Sequence, residues 1–280
     1  MDVNDWWPAP AKINLFLHIT GRRSDGYHLL QTVFQFLDIG DRLSFRLRED
    51  DAVQRLEPLP GVAVEQDLVI RAARLLQEQA GVTRGVDIRL DKRLPLGGGL
   101  GGGSSDAATT LVALNRLWRT GLTAAQLQQL GLRLGADVPV FIHGKAAWAE
   151  GVGEILTDVD LEKPWYVVVT PDCHVSTAEI FTAPELKRDC QPITISGFLS
   201  GQGGNVCEAV VRRRRPAVAA ALDWLSEFGP ARMSGTGASV YLAVADRQRA
   251  EDILRHLPGA WRGFVAQGLN RSPLLDRVTG

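Results

Sequence analysis

The sequence predicts an α+β protein of two domains. Strand-like alternations and helical periodicities are interspersed along it without a regular βαβ repeat. Its 280 residues suit one large or two moderate domains with ample core. A stretch of mixed character from Glu150 to Lys163 separates two structured halves, so the expected division is 1–155 and 156–280.

The elements follow in order. Ile13, Leu15, Leu17 and Ile19 alternate with Lys12, Asn14, Phe16, His18 and Thr20, the two-residue period of a strand. Gly21–Gly26 is a turn-rich connection. Alternation returns at Val33/Gln35/Leu37 and again at Leu43/Phe45/Leu47, read as two strands. A helix is expected from Asp67 to Gln79, closed by Gly81. Val86, Ile88 and Leu90 share one face of a further strand, with Asp87, Arg89 and Asp91 on the other. Ala107, Ala108, Leu111, Leu114 and Trp118 recur at helical spacing, with Ser104 or Ser105 as the expected N-cap.

Thr123-Ala-Ala-Gln126 reads as a capping box opening the next helix, which Gly135 ends. Trp165–Thr170 is a buried strand, and Ser176 to Glu179 caps a short helix. Residues 183–204 are irregular. Helices are expected at 205–215 and 216–228, the second with proline in its first turn. A strand at 239–244, a helix at 246–256 and a strand near Phe264 complete the chain. No internal repeat or low-complexity tract is present.

Composition narrows the function classes. Hydrophobic content of 45% and charged content of 22% are ordinary for a soluble globular protein. With 31 basic against 32 acidic residues, no charge bias points to nucleic acid or a membrane surface as partner. No apolar run approaches transmembrane length, and Met1–Pro8 lacks the pattern of a signal peptide. Three cysteines without CxxC spacing suit reduced thiols, so a cytoplasmic location is expected. The five histidines show no HExxH-type spacing, and no dedicated metal site is expected. Nothing in the sequence sets an oligomeric state.

The most informative stretch runs Pro95-Leu96-Gly97-Gly98-Gly99-Leu100-Gly101-Gly102-Gly103-Ser104-Ser105. Six of the seven residues from Gly97 to Gly103 are glycine, between a strand and a helix. Glycine costs backbone entropy and offers nothing to pack. A run this dense suits bare N–H groups closing around an anion, most often phosphate, at a helix start. The dinucleotide fingerprint does not fit, because no acidic residue at a strand end stands about 20 positions on. The P-loop does not fit either, because no lysine follows the glycines.

Four further features bear on chemistry. Asp137 precedes a proline segment, where it reads as a turn aspartate or as the base for a hydroxyl nucleophile. Lys12 interrupts an apolar strand, either blocking an edge or placing a fixed charge beside phosphate or a carboxylate. Ser234–Ala238 is a second small-residue loop that an ordinary tight turn explains equally well. Arg212–Arg215 closes a helix, where cations complement the dipole.

Taken together, the segment from Pro95 to Ala108 resembles the ATP loop of the GHMP kinases. Segments 9–15, 21–28, 135–141 and 234–238 are similar, in order, to the branch of that family acting on 4-diphosphocytidyl-2-C-methyl-D-erythritol in the non-mevalonate isoprenoid route. The likeness runs from Pro10 to Pro273. It implies the two-domain GHMP kinase fold, with a ribosomal-protein-S5-domain-2-like N-terminal domain and a ferredoxin-like C-terminal domain. It also implies ATP-dependent phosphorylation of the substrate's 2-hydroxyl, with ATP as co-substrate and Mg²⁺. Carried onto this chain, the resemblance makes Asp137 the base and Lys12 its charge partner. Asn14 and His28 would contact substrate, Tyr27 and Phe181 would sandwich the cytosine, and Pro95 to Ser105 would wrap the ATP phosphates. Where the family often has asparagine, this chain has Asp67. Two other readings remain: a GHMP kinase for another small alcohol, and a non-catalytic nucleotide sensor of the same fold.

Overall fold

The computed structural model describes residues 5–279. The first four residues of the segment read for a targeting signal, and Gly280, lie outside the described residues. The chain opens with two long strands, β1 (Trp7–Arg22) and β2 (His28–Leu47). β3 (Val53–Arg55), α1 (Leu68–Ala80), β4 (Val86–Asp91) and α2 (Gly102–Leu117) follow. Next come α3 (Ala124–Leu132), α4 (Val138–His143) and the hairpin β5 (Ala147–Glu150) and β6 (Ile155–Asp158). The second half contains β7 (Trp165–Pro171), α5 (Thr177–Thr182), α6 (Ile195–Leu199), α7 (Glu208–Arg214) and α8 (Pro216–Ser226). It ends with β8 (Arg232–Met233), β9 (Val240–Val244), α9 (Arg247–Leu254), β10 (Trp261–Leu269) and α10 (Pro273–Thr279). The class is α+β, as expected.

β2 is the spine of the sheet. The two alternations read as separate strands are one continuous 20-residue element. One edge of β2 pairs antiparallel with β1. Along its other edge lie β5 (at residues 32–34), β10 (36–37) and β4 (42–47) in succession. β10 continues onto β7, and β7 onto β9, so one sheet joins both halves of the chain. β1 departs from simple alternation. Register shifts after Pro10, Asn14 and Ile19 bend it, and Lys12, Ile13 and Asn14 are all buried.

Local signals set most helix ends. Asp67 caps α1 by accepting from the Val69 N–H, and Gly81 ends it in the left-handed conformation at φ 62°. The Thr123–Gln126 capping box forms as written. α2 differs: it starts at Gly102, with left-handed Gly101 as its cap, so Ser104 and Ser105 lie inside the first turn. Glycine wins the cap because φ there is 71°. The region of mixed character from Glu150 to Lys163 holds the turn and second strand of the β5–β6 hairpin.

Three of the four hydrophobic clusters among the described residues position the site. One cluster packs α1, α2, α3 and α4 on β1, β2 and β4, and Leu274 of α10 joins it from the far end of the chain. A second packs α5, α7, α8 and α9 against β7 and β9, with Leu17 and Ile19 of β1. Between them lies a seam of Ala11, Ile13, Leu37, Leu94, Leu100, Tyr166, Val168, Tyr241 and Ala266. Its two tyrosines meet edge to face at 5.6 Å. The Tyr166 hydroxyl donates to Gln35 Oε1 (2.6 Å) and that of Tyr241 to the Asn14 carbonyl (3.0 Å), so no seam hydroxyl is left unpaired.

Asp87 on β4 tests how the first half is held. Its carboxylate is buried and accepts from Gln54, Arg46 and Arg48. Burial alone would raise this carboxyl, but the three donors outweigh it and hold it down at about 2, against an ordinary 3.8. Its contribution to stability is therefore fully present above pH 3.8 and lost as pH falls toward 2. Asp87→Asn is expected to lower the urea midpoint at pH 7, with the gap from the unaltered protein closing across that acid range. An unchanged midpoint at pH 7 would refute this.

Candidate active site

The glycine run leaves β4 and enters α2 on a backbone that only glycine follows at low cost. Gly97, Gly99 and Gly101 have φ of 68°, 73° and 71°. The space is equally restrictive. A Cβ at Gly99 would stand 2.5 Å from the Ser234 carbonyl oxygen, and one at Gly101 2.7 Å from Phe141 Cζ. Within the loop the residues divide. Gly99 and Ser104 line a cavity, whereas Leu100 and Ser105 are buried in the interior. Leu96 is half exposed and Pro95 packs toward Gly98. The first turn of α2 leaves the N–H groups of Gly102, Gly103 and Ser104 without intrahelical partners, at the positive end of the helix dipole.

Lys12 is the hub of the site. It is only 3% exposed, which removes the edge-blocking reading. Its Nζ donates to Asn14 Oδ1 at 2.5 Å and reaches the Gly99 carbonyl at 3.4 Å. It stands 3.1 Å from Asp137 Oδ2 and lies over the Phe34 ring at 5.3 Å. Asp137 is neither a free turn aspartate nor a side-chain cap. It begins α4 without a capping bond, and its carboxylate turns to Lys12 instead. Asn14 is committed within the protein on both sides, since its Nδ2 donates to Thr32 Oγ1 (2.9 Å).

The second small-residue loop is part of the same construction. Ser234 Oγ donates to the Gly99 carbonyl (2.9 Å) and accepts from the Asn14 N–H (3.2 Å), while the Ser239 N–H donates to Gly98. Thr236 shares a hydrogen bond with Thr177. Lys12, Asn14, Thr32, Gly99, Ser104, Asp137, Thr177 and Thr236 line a cavity of about 240 Å³. An adjoining cavity of about 550 Å³ shares the Leu30, Ala136, Val152 and Phe181 walls. Tyr27, His28, Arg22, Asp25 and Arg188 complete it. Tyr27 is 63% exposed at its rim. His28 stacks on Phe181 with centroids 5.2 Å apart, and Tyr27 stands in the wall of the same cavity.

Behind the start of α2 lies a cluster the sequence did not reveal. Lys92 Nζ bridges Asp41 Oδ2 (2.5 Å) and Asp106 Oδ2 (2.8 Å), and Asp41 also accepts from the Arg93 and Leu94 N–H groups. Burial pushes the Asp106 carboxyl up to about 7, with the Lys92 charge pulling the other way. Asp67, besides capping α1, pairs with buried Arg55 at 3.0 Å. Three of the four arginines at 212–215 are ion-paired: Arg212 to Asp223, Arg214 to Glu185 and Arg215 to Glu179.

Comparisons with known proteins bear on this geometry. Family models described as GHMP kinases N terminal domain and GHMP kinases C terminal match residues 67–145 and 191–263. A 4-diphosphocytidyl-2-C-methyl-D-erythritol kinase of Nitrosococcus oceani is 63% identical over 270 residues, covering 96% of each chain. The chain belongs to the 4-diphosphocytidyl-2-C-methyl-D-erythritol kinase family of GHMP kinases. A relative of the same name from Alkalilimnicola ehrlichii is 60% identical, over 98% of this chain and 94% of its own. A crystal structure titled 4-(cytidine 5'-diphospho)-2C-methyl-D-erythritol kinase superposes with a TM-score of 0.80 at 32% identity. That superposition covers 94% of this chain and 98% of the other. The Methanococcus jannaschii mevalonate kinase, at 15% identity and a TM-score of 0.69, shares the fold.

Seen as a GHMP kinase, the residues missed from sequence have recognisable origins. Ser234 and Thr236 stood in a loop whose composition an ordinary turn also explains. Thr177 stood beside a cap. Arg188 lay in the aperiodic 183–204 segment and carried no signal. The glycine geometry yields a direct test. Gly101→Ala is expected to cost about 1–2 kcal/mol from the left-handed backbone alone, with more from the Phe141 clash. Gly103→Ala, whose Cβ would meet Leu68 Cδ1 at 3.5 Å, is expected to unfold within about 0.5 kcal/mol of the unaltered protein. Equal losses in urea titration would show that the loop's glycines are not distinguished by backbone angle.

Proposed function

We propose that this chain phosphorylates the 2-hydroxyl of 4-diphosphocytidyl-2-C-methyl-D-erythritol with ATP, giving the 2-phosphate and ADP in the non-mevalonate isoprenoid route. The observation that carries this reading is the 3.1 Å Lys12–Asp137 pair in a cavity that adjoins an aromatic-walled pocket. The 60–63% identity to relatives bearing that activity in their names supports the same substrate.

In the proposed reaction the ATP phosphates lie along Pro95 to Ser105, with N–H groups at the α2 start receiving their charge. The cytidyl end enters the larger cavity among Tyr27, His28 and Phe181, which places the alcohol toward Asp137. Aspartate, with an ordinary value of about 3.9, is a weak ground-state base for an alcohol. Phosphoryl transfer through a loose transition state asks little of it. Asp137 orients the hydroxyl and takes its proton as the bond to phosphorus forms. Lys12 keeps the carboxylate in place and faces the charge that develops on the transferred group. Asn14 fixes Lys12 through its Oδ1 and lines the same cavity, where it contacts the substrate.

Mg²⁺ fits the donor set here, because Ser104 stands in the cavity wall beside the glycine loop and hard cations prefer oxygen, its hydroxyl included. Ser104 would hold it together with phosphate oxygens and water, where it would neutralise phosphate charge. We place the domain boundary near 155, adjusted to follow Asp158 because β6 completes the β5 hairpin. A cytoplasmic location suits a metabolic kinase, and no helix among the described residues is long and apolar enough to cross a membrane.

A coupled ADP-release assay with the cytidyl-diphosphate alcohol, mevalonate and homoserine tests the reading. Turnover is expected with the first alone, and turnover of another alcohol instead would overturn it. Asp137→Ala is expected to lower kcat by at least about 10²-fold while ATP still binds. Full turnover in that variant would remove Asp137 from the mechanism. Tyr27→Ala is expected to raise KM about tenfold for the cytidyl substrate, with KM for ATP unmoved. An unchanged KM would discard a stacking role for Tyr27.

A further inference from the structure

Arg188 joins two walls of the larger cavity. Its Nε donates to His28 Nε2 at 3.1 Å. Its Nη2 donates to the carbonyls of Phe181 (2.8 Å) and Ala183 (2.7 Å), and its Nη1 to that of Leu186 (3.0 Å). Four of the five donors of a rigid guanidinium fork are thus engaged, three of them on the turn that ends α5. The fourth meets a ring nitrogen that can only be accepting, so the proton of neutral His28 sits on Nδ1. The His28 ring lies stacked on Phe181, whose carbonyl the same fork holds.

The segment carrying Arg188 is itself anchored. The Cys190 N–H donates to the Ile19 carbonyl. Gln31 exchanges hydrogen bonds with both the N–H and the carbonyl of Ile193. An otherwise aperiodic stretch is therefore tied to β1 and β2 at the point where it presents one arginine to the cavity.

We propose that Arg188 is a positioning residue for the substrate's base: it locks His28 onto Phe181 in the Nδ1–H form and so pre-forms that wall of the pocket. This rests on reading the larger cavity as the site of the cytidyl end. The charged and titratable groups around His28 are Arg188, Arg22, Asp25 and Tyr27. Burial, then the Arg188 and Arg22 charges, hold His28 below its ordinary 6.5. The ring is thereby kept uncharged across the neutral range, which suits a stacking surface and leaves Nε2 free to accept from Arg188.

The test combines kinetics with substrate-free spectroscopy on the full chain. Arg188→Met is expected to raise KM for the cytidyl substrate about tenfold, with kcat and KM for ATP within about twofold. Arg188→Lys, which keeps the charge and loses the fork, is expected to show the same KM split and serves if the Met variant folds poorly. In a His28→Phe background the Arg188→Met effect on KM is expected to shrink below about twofold. Nitrogen-15 NMR of the unaltered chain is expected to find the His28 proton on Nδ1, titrating below 6.5, with the midpoint moving up in Arg188→Met. An unmoved KM, an equal rise in KM for ATP, a full effect without His28, or a proton on Nε2 would each overturn the inference. Failure of the unaltered chain to use the cytidyl substrate would instead strike the reading it rests on, and the NMR result would still stand or fall by itself.

Discussion

A buried ammonium dictates the arrangement of this site. Lys12 lies on a strand between fully buried Ala11 and Ile13, where an unpaired charge would be prohibitively unfavourable. Its partners must therefore come to it. Asn14 comes from the same strand, the Gly99 carbonyl from the glycine loop and the Asp137 carboxylate from the start of α4. The three segments are far apart in sequence, and the charge brings them within hydrogen-bonding reach of one atom. Pairs of this kind seldom add net stability over an apolar replacement, but removing one partner leaves the other stranded. The arrangement is better understood as fixing a position than as strengthening the fold.

The seam between the halves serves the same end from below. Leu94 and Leu100, which flank and interrupt the glycines, are buried with Tyr166, Val168 and Tyr241 from the second half. Tyr241 hydrogen-bonds the carbonyl of Asn14, and Ser234 clamps both Asn14 and Gly99. The phosphate-type loop is thus gripped by strand β1 on one side and by the 234–239 turn on the other. Its glycines answer to this crowding as much as to any ligand, since Cβ atoms at 99 and 101 would collide with protein.

Much of the fold was legible in the sequence. α1, β4, α3 and β7 were located by period and caps, because each depends on interactions within a few residues of itself. The errors share a cause. The start of α2 went to Ser104 or Ser105 because their hydroxyls are good caps, yet backbone angle at Gly101 decided the matter. β2 was divided because the strict alternation lapses between Leu37 and Leu43, where Gly40 lies. In fact the glycine is required there by the close approach of Ala9 and Pro10 from β1. The site was legible where motifs carry it: Lys12, Asp137 and the glycines. Arg188, the Asp41–Lys92–Asp106 cluster and the engagement of Asn14 arise only from long-range packing, which leaves no local period to read.

The return of the chain to its starting half has a bearing on how the protein is made. Leu274 on α10 completes the cluster built on β1 and α2, and β10 supplies part of the edge of β2. A ribosome that has released the first 160 residues has produced a half whose own core still lacks its last helix and one sheet neighbour. Stopping synthesis there would leave the place of Leu274 unfilled and β2 without its β10 neighbour at Phe36 and Leu37, so the two halves, separate as family signatures, share one cluster and one sheet. Leu274 and its helix act as a latch that closes the first core only after the second half has been made.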